Sequence, residues 1–341
     1  MNNISADRQL AFFFKKIKYA SLIQPINAEK EKKKVFQSRD YNPQFQYRDI
    51  DETLNTIIKG LKEIKINHST LGSILNERRN EIIQRCLLLK KIGTKEITEI
   101  SKNIYGAPSQ ELIHRAEKLV KLESEEEEKK NNTIATIRKM LSSLLGQGFN
   151  WNVKEAEKMV AGAVFNVNDR TIYINKNRMF SDNDIKRLMV HEIGTHVIRS
   201  EKGRQQPFNI FWIGFPDYLT TEEGLATYNE KKAGLLTNNT LRTYAGRVLA
   251  VNLSLSSSFS FTYNSLLEFF SKEEAFTLTT RAKRGLGNTS KPGAFTKDHV
   301  YLKGKYLIED FVKSGGDIKK LFIGKIAVKH LPLIPKILKD Q

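Results

Sequence analysis

Apolar residues in the first third of the chain recur at spacings that place them on one face of a helix. Leu54, Ile57, Ile58 and Leu61 follow the positions i, i+3, i+4 and i+7, and residues 112–120 repeat the stripe. Such stripes are typical of amphipathic helices that pack against one another. The pattern therefore predicts several antiparallel helices in the N-terminal part of the chain.

The hydrophobic period changes after an acidic segment, residues 123–132, which has no apolar face and which we interpret as a linker or a solvated helix end. Beyond it, two short β-rich segments at 164–167 and 171–174 flank a polar turn, as a β-hairpin requires. The second segment either packs in the core or receives substrate backbone as an added strand. A capping pattern at 181–184 predicts a helix that begins near residue 182.

These patterns indicate an organisation in two parts. Residues 1–130 are predicted to form a mainly helical N-terminal region, and residues 131–341 a second region with a small β-sheet and further helices. The boundary is soft, and one integrated domain is the alternative. The overall class is therefore predicted to be α+β.

Two of the six histidines lie close together in the helix predicted to begin near residue 182. They are His191 and His196, and Glu192 directly follows the first. On an ideal helix a spacing of i+5 corresponds to about 500° and leaves the two side chains roughly 140° apart, whereas i+4 leaves them about 40° apart. A π-bulge would bring the two rings back onto one face, and Gly194 permits that distortion at low steric cost. We therefore predict a distorted helix whose histidines converge on a metal ion.

A zinc site with two histidines needs a third protein ligand, and hydrolases of the His, His, Glu type take it from a second helix downstream. Glu223 supplies a carboxylate of this kind, at the start of a helical stretch in residues 221–226. In the familiar metalloprotease pattern the glutamate beside the first histidine, here Glu192, activates a water molecule. The alternative for the pair taken alone is ordinary core or surface histidines on a helix.

Several further motifs in the same order give the chain its resemblance to a known family. It resembles the tyrosine carboxypeptidase-like metallopeptidases, the family of the microtubule-associated tyrosine carboxypeptidases, many of whose bacterial members are labelled flavohaemoglobin expression-modulating QEGLA motif proteins. The resemblance spans most of the chain. The matching segments are YNPQFQY at 41–47, HEIGTH at 191–196, GRQQP at 203–207, EEGLA at 222–226, RAKRG at 281–285 and GAFTKDHVYL at 293–302.

The resemblance implies a zincin-like metallopeptidase domain in which His191, His196 and Glu223 bind Zn²⁺ and Glu192 is the general base. It implies a zinc-dependent metallocarboxypeptidase that hydrolyses C-terminal peptide bonds and releases an aromatic, tyrosine-like residue, with a tubulin-like tail among the substrates. The chain departs from the family at the first position of the Gln-Glu-Gly-Leu-Ala motif, where it has Glu222. Because Glu223 keeps its place, this change affects only the local electrostatics.

A peptidase acting at C-termini must also recognise the terminal carboxylate, which calls for a positioned cation. The cations inside the matching segments are Arg204, Arg281, Arg284 and Lys297, and Lys297 and Arg281 are preferred equally over the other two. Tyr301 and Tyr228 are candidates for the donor that stabilises the oxyanion. The alternative for each cation is a solvated position, and for each tyrosine ordinary packing.

Composition then limits the classes of protein that this chain can represent. Its 341 residues are enough to bury a large core, and its one cysteine, Cys86, excludes an internal disulfide scaffold and is expected to be a buried apolar residue. No segment approaches the roughly 18 to 20 apolar residues that a membrane span needs, and the N-terminus makes a poor signal peptide. We therefore expect a cytoplasmic protein with no membrane span.

The charge balance favours anionic partners. The chain has 56 Lys and Arg residues against 38 Asp and Glu residues, a formal net charge of +18. Such a field attracts an acidic protein tail, nucleic acid or an anionic membrane surface, and an even distribution of lysines over the surface is the alternative. Two other functions therefore stand beside the carboxypeptidase: an endopeptidase or aminopeptidase on the same zinc site, and a non-catalytic regulatory or nucleic-acid-binding protein.

Overall fold

The computed structural model describes residues 3–17, 19–50, 52–126, 128–130, 132–157 and 162–339. Its α-helices, in chain order, are α1 (Asn3–Lys15), α2 (Tyr19–Leu22), α3 (Ala28–Gln37), α4 (Thr53–Glu63), α5 (Thr70–Lys90), α6 (Ile97–Tyr105), α7 (Gln110–Leu119), α8 (Ile134–Gly146), α9 (Asp182–Leu188), α10 (Ile198–Arg204), α11 (Ile210–Ile213), α12 (Tyr218–Lys232), α13 (Asn238–Ser256), α14 (Phe259–Leu266), α15 (Lys272–Lys283), α16 (Val300–Lys313) and α17 (Ile334–Ile337).

The remaining regular elements are three strands, one π-helix and three short 3₁₀ helices. They are β1 (Asn152–Ala156), β2 (Ala163–Asn166), β3 (Thr171–Asn175), the π-helix Met189–Val197 and the 3₁₀ helices Thr296–His299, Ile318–Ile323 and Val328–Leu333. The predicted α+β class is confirmed, with helix predominating over one small sheet. Among the described helices, none combines the length and the apolar character that crossing a membrane requires.

The chain separates into two compact units, each built from two stretches of sequence. Unit 1 consists of residues up to 123 together with residues 239–303, and unit 2 consists of residues 124–238 together with residues 304–339. The acidic segment around residue 124 therefore lies where the chain first passes from one unit to the other. Its described residues between α7 and α8 form neither helix nor extended strand.

Unit 1 is helical, as the hydrophobic stripes predict. Leu54, Ile57 and Leu61 of α4 are all buried, which explains why apolar residues recur with the helical period in that segment. Ser109 caps α7, where its side-chain oxygen accepts a hydrogen bond from the backbone N–H of Leu112 at 3.2 Å. Cys86 is a free, buried thiol in α5, so its expected role as an apolar core residue is confirmed.

A buried lysine connects three segments of unit 1. Nζ of Lys283, at the end of α15, donates hydrogen bonds to the carbonyl oxygens of Ser254, Ser257 and Lys291 at 3.2, 2.6 and 2.9 Å. These bonds tie α15 to the end of α13, to the turn before α14 and to the loop that follows α15. Burial of the amine lowers the pKa of Lys283 to about 7.

Unit 2 contains the three-stranded sheet, in the order β1-β3-β2. The predicted hairpin is confirmed, because β2 and β3 are antiparallel with Phe165 opposite Ile172. Strand β1 pairs in parallel with the other edge of β3, and the sequence pattern did not reveal it. Since β3 has a neighbour on both sides and buries Ile172 and Ile174 completely, it packs in the core and cannot accept an added substrate strand. That alternative was wrong.

The helix that carries the two histidines begins as predicted. Ser181 and Asp184 form a capping box, so α9 starts at Asp182. Helix α9 continues directly into the π-helix Met189–Val197 and then into α10, which confirms the predicted distortion. The turns widen, and the Thr195 hydroxyl donates to the carbonyl oxygen of Val190, five residues back, at 3.3 Å.

Two glycines of unit 2 differ in whether the surrounding structure has room for a side chain. A Cβ atom at Gly194 would make only an ordinary contact of 3.7 Å, with the carbonyl oxygen of Met189, so the π-helix does not depend on glycine there for space. A Cβ atom at Gly224 of α12 would overlap the backbone carbonyl of Gly304. Here glycine lets two backbones approach closely, next to the position of Glu223.

We expect replacement of Lys283 by Met to change how stability depends on pH. The folded pKa of about 7 lies below the ordinary 10.5 of a lysine, so between these values the unfolded chain binds more protons and the free energy of unfolding rises with pH. The difference in this free energy between the wild type and Lys283→Met should therefore rise by up to about 1.4 kcal/mol per pH unit. Urea unfolding from pH 7 to 10 measures it.

A matched control is Lys62→Met, because Lys62 is an exposed lysine of α4. The free energy of unfolding of Lys62→Met should differ from that of the wild type by the same amount across this pH range. An equally flat difference for Lys283→Met would contradict the lowered pKa of the buried amine.

Candidate metal centre

Three potential metal ligands come together in unit 2. Nε2 of His191 and Nε2 of His196 lie 3.5 and 3.9 Å from Oε2 of Glu223, and one ligand atom from each residue lies within 4.8 Å of the others. The two imidazole rings are nearly perpendicular, with centroids 4.9 Å apart. The π-helix supplies both histidines and α12, packed along it, supplies the glutamate.

The extra residue in each turn of the π-helix explains how a spacing of i+5 brings the rings together. Glu223 lies in the second turn of α12, because this helix begins at Tyr218 and not at the glutamate. All three side chains are buried, with His191 the most exposed at 9%. The group therefore lies in a largely desolvated environment.

His191 is oriented by a second, fully buried carboxylate. Its Nδ1 lies 2.7 Å from Oε1 of Glu230, two turns beyond Glu223 on α12, and Arg187 donates to the same oxygen at 3.3 Å. Burial would raise the pKa of Glu230, but the contact with His191 and the charge of Arg187 lower it. An ionised Glu230 accepts the Nδ1 proton, which leaves Nε2 as the nitrogen that faces Glu223.

The protonation of His191 depends on the same contacts. Burial by itself would lower the pKa of this imidazole, but its contacts with the carboxylates of Glu223 and Glu230 outweigh burial and raise the pKa to about 10. Without a cation, the two carboxylates therefore hold a proton on His191. A metal ion at Nε2 would take the place of that proton.

His196 has an equivalent carboxylate on its other side. Its Nδ1 lies 2.9 Å from Oε1 of Glu222. The other carboxylate oxygen of Glu222 accepts a hydrogen bond from Arg199, and Nζ of Lys325 lies 3.3 Å from Oε1. Burial would raise the pKa of Glu222, but the charges of Lys325 and Arg199 hold it well below its usual range. Glu222 thus orients a histidine, and its charge is matched by two cations.

Glu192 and two stacked aromatic rings are further groups near the three candidate ligands. Glu192 is 9% exposed and follows His191 on the π-helix, and its charge contributes to the raised pKa of His191. The ring of Phe165, on the edge strand β2, lies 5.7 Å from the ring of His196 and stacks on Trp151 at 4.6 Å. Glu192 is therefore near enough to His191 to act on its charge, and the ring of His196 has an aromatic neighbour.

The donor set fits a divalent metal such as zinc. Zinc binds imidazole nitrogen and carboxylate oxygen, and catalytic sites use three protein ligands with the remaining position left for water or substrate. Metal-binding histidines commonly donate their other N–H to a carboxylate, as both do here. The three residues, with both histidines oriented by carboxylates, could therefore hold a metal ion.

The other candidates of unit 2 lie outside this cluster of ligands. Arg204 ends α10 and lines an open cleft of about 260 Å³ with Arg170 and Trp212. Its guanidinium donates to the carbonyl oxygen of Val167 at 2.7 Å and lies 4.1 Å from the Trp212 ring centroid. Tyr228 is a half-buried residue of α12.

The remaining candidates belong to unit 1. Arg281 and Arg284 both pair with the carboxylate of Asp298. Lys297 is half-buried in the short 3₁₀ helix that precedes α16, near the helix start that its sequence context predicts. Tyr301 stacks on the ring of Tyr244, with centroids 5.5 Å apart. The structure therefore brings the two arginines together around one acid.

Four residues around the histidines were not recognised in the sequence. Glu230 contacts His191 directly, and the three cations pair with the orienting carboxylates; they are Arg187, Arg199 and Lys325. A signal existed for Glu230, because seven residues separate it from Glu223 and two helical turns bring both to the same face of α12. Lys325 gave no such signal, since it is more than 100 positions away from its partner Glu222.

Comparison with known proteins gives a consistent result. The family model described as "Microtubule-associated tyrosine carboxypeptidase" matches residues 33–341. "Putative tyrosine carboxypeptidase MATCAP2" of Mus musculus is 28% identical over 339 residues, which cover 95% of this chain and 57% of the relative. "Microtubule-associated tyrosine carboxypeptidase 1" is 27% identical over 297 residues in both Mus musculus and Homo sapiens, covering 83% of this chain and 54% of each relative.

The chain thus spans about half the length of the curated relatives that it matches. The family match, by contrast, extends over most of the chain and includes every residue of the candidate metal centre. The chain belongs to the microtubule-associated tyrosine carboxypeptidase family.

Proposed function

We propose that the protein is a zinc metallocarboxypeptidase with a zincin-like catalytic unit, and that it removes an aromatic, tyrosine-like residue from a peptide or protein C-terminus. The observation that carries this proposal is the convergence of His191, His196 and Glu223, whose ligand atoms lie within 4.8 Å of one another. Glu192 directly follows His191 on the π-helix. Membership of a family named for tyrosine carboxypeptidases supports the reaction and the leaving residue.

His191, His196 and Glu223 would hold the zinc ion, which when bound supplies Lewis-acid chemistry at neutral pH. Glu192 would take the proton from the attacking water onto its carboxylate and deliver it to the leaving amine nitrogen. Glu230 and Glu222 hold the Nδ1 protons and so keep both Nε2 atoms directed toward Glu223. The Phe165 and Trp151 rings reduce the access of water to the His196 side of the site.

The proposed substrate is an acidic C-terminal tail, and the proposed location is the cytoplasm. The net charge of +18 favours an acidic tail over a basic one, and two relatives carry names that associate them with microtubules. The reader of the terminal carboxylate is proposed among the cations named from the sequence, with Lys297 and Arg281 first. No described contact favours nucleic acid as the partner.

The first test separates the ligands from the base. His196→Ala or Glu223→Ala should lose zinc, measured by elemental analysis of the purified protein, because two remaining ligands bind the ion weakly. Glu192→Gln should keep zinc and lose about 10²- to 10⁴-fold in the rate of peptide hydrolysis, the contribution typical of general-base catalysis.

A histidine outside the site provides the control for metal content. His114 is largely exposed, on α7, and His114→Ala should retain the zinc content of the wild type. Full zinc occupancy in His196→Ala would refute the set of ligands, and undiminished turnover in Glu192→Gln would exclude this residue as the base.

The second test concerns the orienting carboxylate Glu230. Replacement by the isosteric Gln removes the charge that holds the Nδ1 proton of His191, and we expect zinc affinity to fall about 10- to 100-fold. Competition with a chelator measures the dissociation constant. Glu309→Gln is the matched control, because Glu309 is a lysine-paired glutamate of unit 2 with no contact to the histidines among its described partners; equal affinities in both variants would contradict the role of Glu230.

The third test determines which end of a peptide the protein recognises. The wild type should release the last residue from an N-acetylated peptide ending in a free tyrosine carboxylate, and the amidated peptide should react more slowly by a factor on the order of 30 to several thousand, the worth of a lost buried charge pair. Mass spectrometry of the products measures both rates.

Each alternative function predicts a different outcome for these two peptides and for a third one that has a free amino terminus. Cleavage at internal bonds would indicate an endopeptidase, and cleavage that requires a free amino terminus would indicate an aminopeptidase. A zinc-loaded protein that cuts none of them would favour the non-catalytic, regulatory function. If the free acid is preferred, Lys297→Met and Arg281→Met should be compared for a selective loss of that preference.

A further inference from the structure

A segment of unit 2 that is distant in sequence from the histidines, residues 321–328, is fixed on both sides of Lys325. The backbone N–H of Lys325 donates to the carbonyl oxygen of Phe211 at 2.6 Å, and its carbonyl oxygen accepts from the backbone N–H of Phe215 at 2.9 Å. The guanidinium of Arg199 donates to two further carbonyl oxygens of this segment, at 3.1 and 2.7 Å. The position of the Lys325 backbone is therefore set by its neighbours in the same unit as the candidate metal centre.

The side chain of Lys325 reaches the carboxylate that orients His196. Lys325 is 4% exposed, and its Nζ lies 3.3 Å from Oε1 of Glu222. The same oxygen lies 2.9 Å from Nδ1 of His196, whereas Arg199 donates to the other oxygen, Oε2. The buried ammonium and the imidazole therefore share one carboxylate oxygen.

Two aromatic rings limit where the ammonium of Lys325 can lie. Its Nζ is 5.1 Å from the ring centroid of Phe165 and 5.5 Å from that of Tyr218, and a cation at such distances is attracted to an aromatic ring. The ring of Phe165 is itself held by stacking on Trp151. Because the ammonium is confined in this way, little further freedom is lost when it contacts Glu222.

The two cationic partners of Glu222 favour different orientations of its carboxylate. A guanidinium commonly pairs with both oxygens of a carboxylate, so Arg199 as the sole partner would draw Oε1 away from His196. The ammonium of Lys325 contacts Oε1 and opposes that rotation. Since the hydrogen bond at the other ring nitrogen fixes the orientation of a metal-binding histidine, the position of Oε1 affects the geometry of the site.

We propose that Lys325 is a positioning residue of the metal centre, which holds Oε1 of Glu222 at Nδ1 of His196 and so keeps Nε2 of this histidine directed at the metal ion. The inference rests on the zinc site of the proposed function but not on peptide hydrolysis, because its consequence is metal binding itself. A role in charge balance alone predicts the opposite effect, since removal of a nearby cation would strengthen the binding of a divalent ion.

Competition between the full-length protein and a chelator for zinc tests the proposal. In Lys325→Met we expect the dissociation constant for zinc to rise about 10- to 100-fold, the usual effect of losing a partner that orients a metal ligand. Lys329→Met is the matched control, because Lys329 is an exposed lysine of the next helical turn that pairs with Asp217. It should bind zinc as tightly as the wild type.

Co²⁺ in place of zinc gives a spectroscopic measure of positioning. Its visible absorption bands depend on the arrangement of its ligands, so they should shift or weaken in Lys325→Met and stay unchanged in Lys329→Met. Circular dichroism and the melting temperature of the metal-free proteins establish that each variant is folded. Unchanged bands in Lys325→Met would contradict a role in orienting His196.

A double variant determines whether Lys325 acts through Glu222. Glu222→Gln by itself removes the charged acceptor at Nδ1 of His196 and should weaken zinc binding by a similar factor. Adding Lys325→Met to Glu222→Gln should cause no further loss, because the carboxylate on which the ammonium acts is already absent. Losses that multiply in the double variant would overturn the proposal.

The remaining outcomes separate this inference from the metal centre as a whole. A folded Lys325→Met that binds zinc as tightly as the wild type overturns the inference, and tighter binding assigns the ammonium to charge balance alone. If Lys325→Met does not fold, Lys325→Gln, which is uncharged and one bond shorter, takes its place with the same expected loss. A wild type that binds neither zinc nor Co²⁺ would instead refute the metal centre itself.

Discussion

The candidate metal centre depends on two buried carboxylates that contact the histidines at Nδ1, the ring nitrogen that does not face Glu223. Glu230 fixes His191 and Glu222 fixes His196, each through Nδ1. Removing these acids from water is costly, and the cost is offset only if each carboxylate has cationic partners and satisfied hydrogen bonds. The structure provides these partners in Arg187 for the first acid and in Arg199 and Lys325 for the second.

This arrangement explains why α12 and the π-helix must pack in one register. Helix α12 carries Glu222, Glu223 and Glu230, so one element provides both a candidate ligand and the two carboxylates that orient the two histidines. A shift of α12 by one residue would separate all three contacts at once. The close backbone approach at Gly224 fixes the position of this helix in unit 2, and thereby links the packing of the unit to the geometry of the site.

Arginine serves different purposes in the two units. In unit 2, the side chain of Arg199 is completely buried and its donors are used by Glu222 and by the carbonyl oxygens of Leu321 and Ile326. In unit 1, Arg281 and Arg284 both pair with the buried carboxylate of Asp298. Arg199 thus connects three segments of unit 2, whereas in unit 1 two arginines share one acid.

The sequence by itself determined the local elements and the spacing of the two histidines, because both are encoded within a few residues. The i+5 spacing of His191 and His196 required the π-helix, the Ser181 motif required a helix start, and the polar turn before β3 required a hairpin. Only the tertiary structure could decide which residues from distant segments meet. Strand β1 has too little alternation to be recognised alone, and the pairing of Lys325 with Glu222 depends on chain folding over more than 100 residues. Residues 239–303 join the N-terminal helices for the same reason, since burial of apolar surface acts between segments regardless of their separation in sequence.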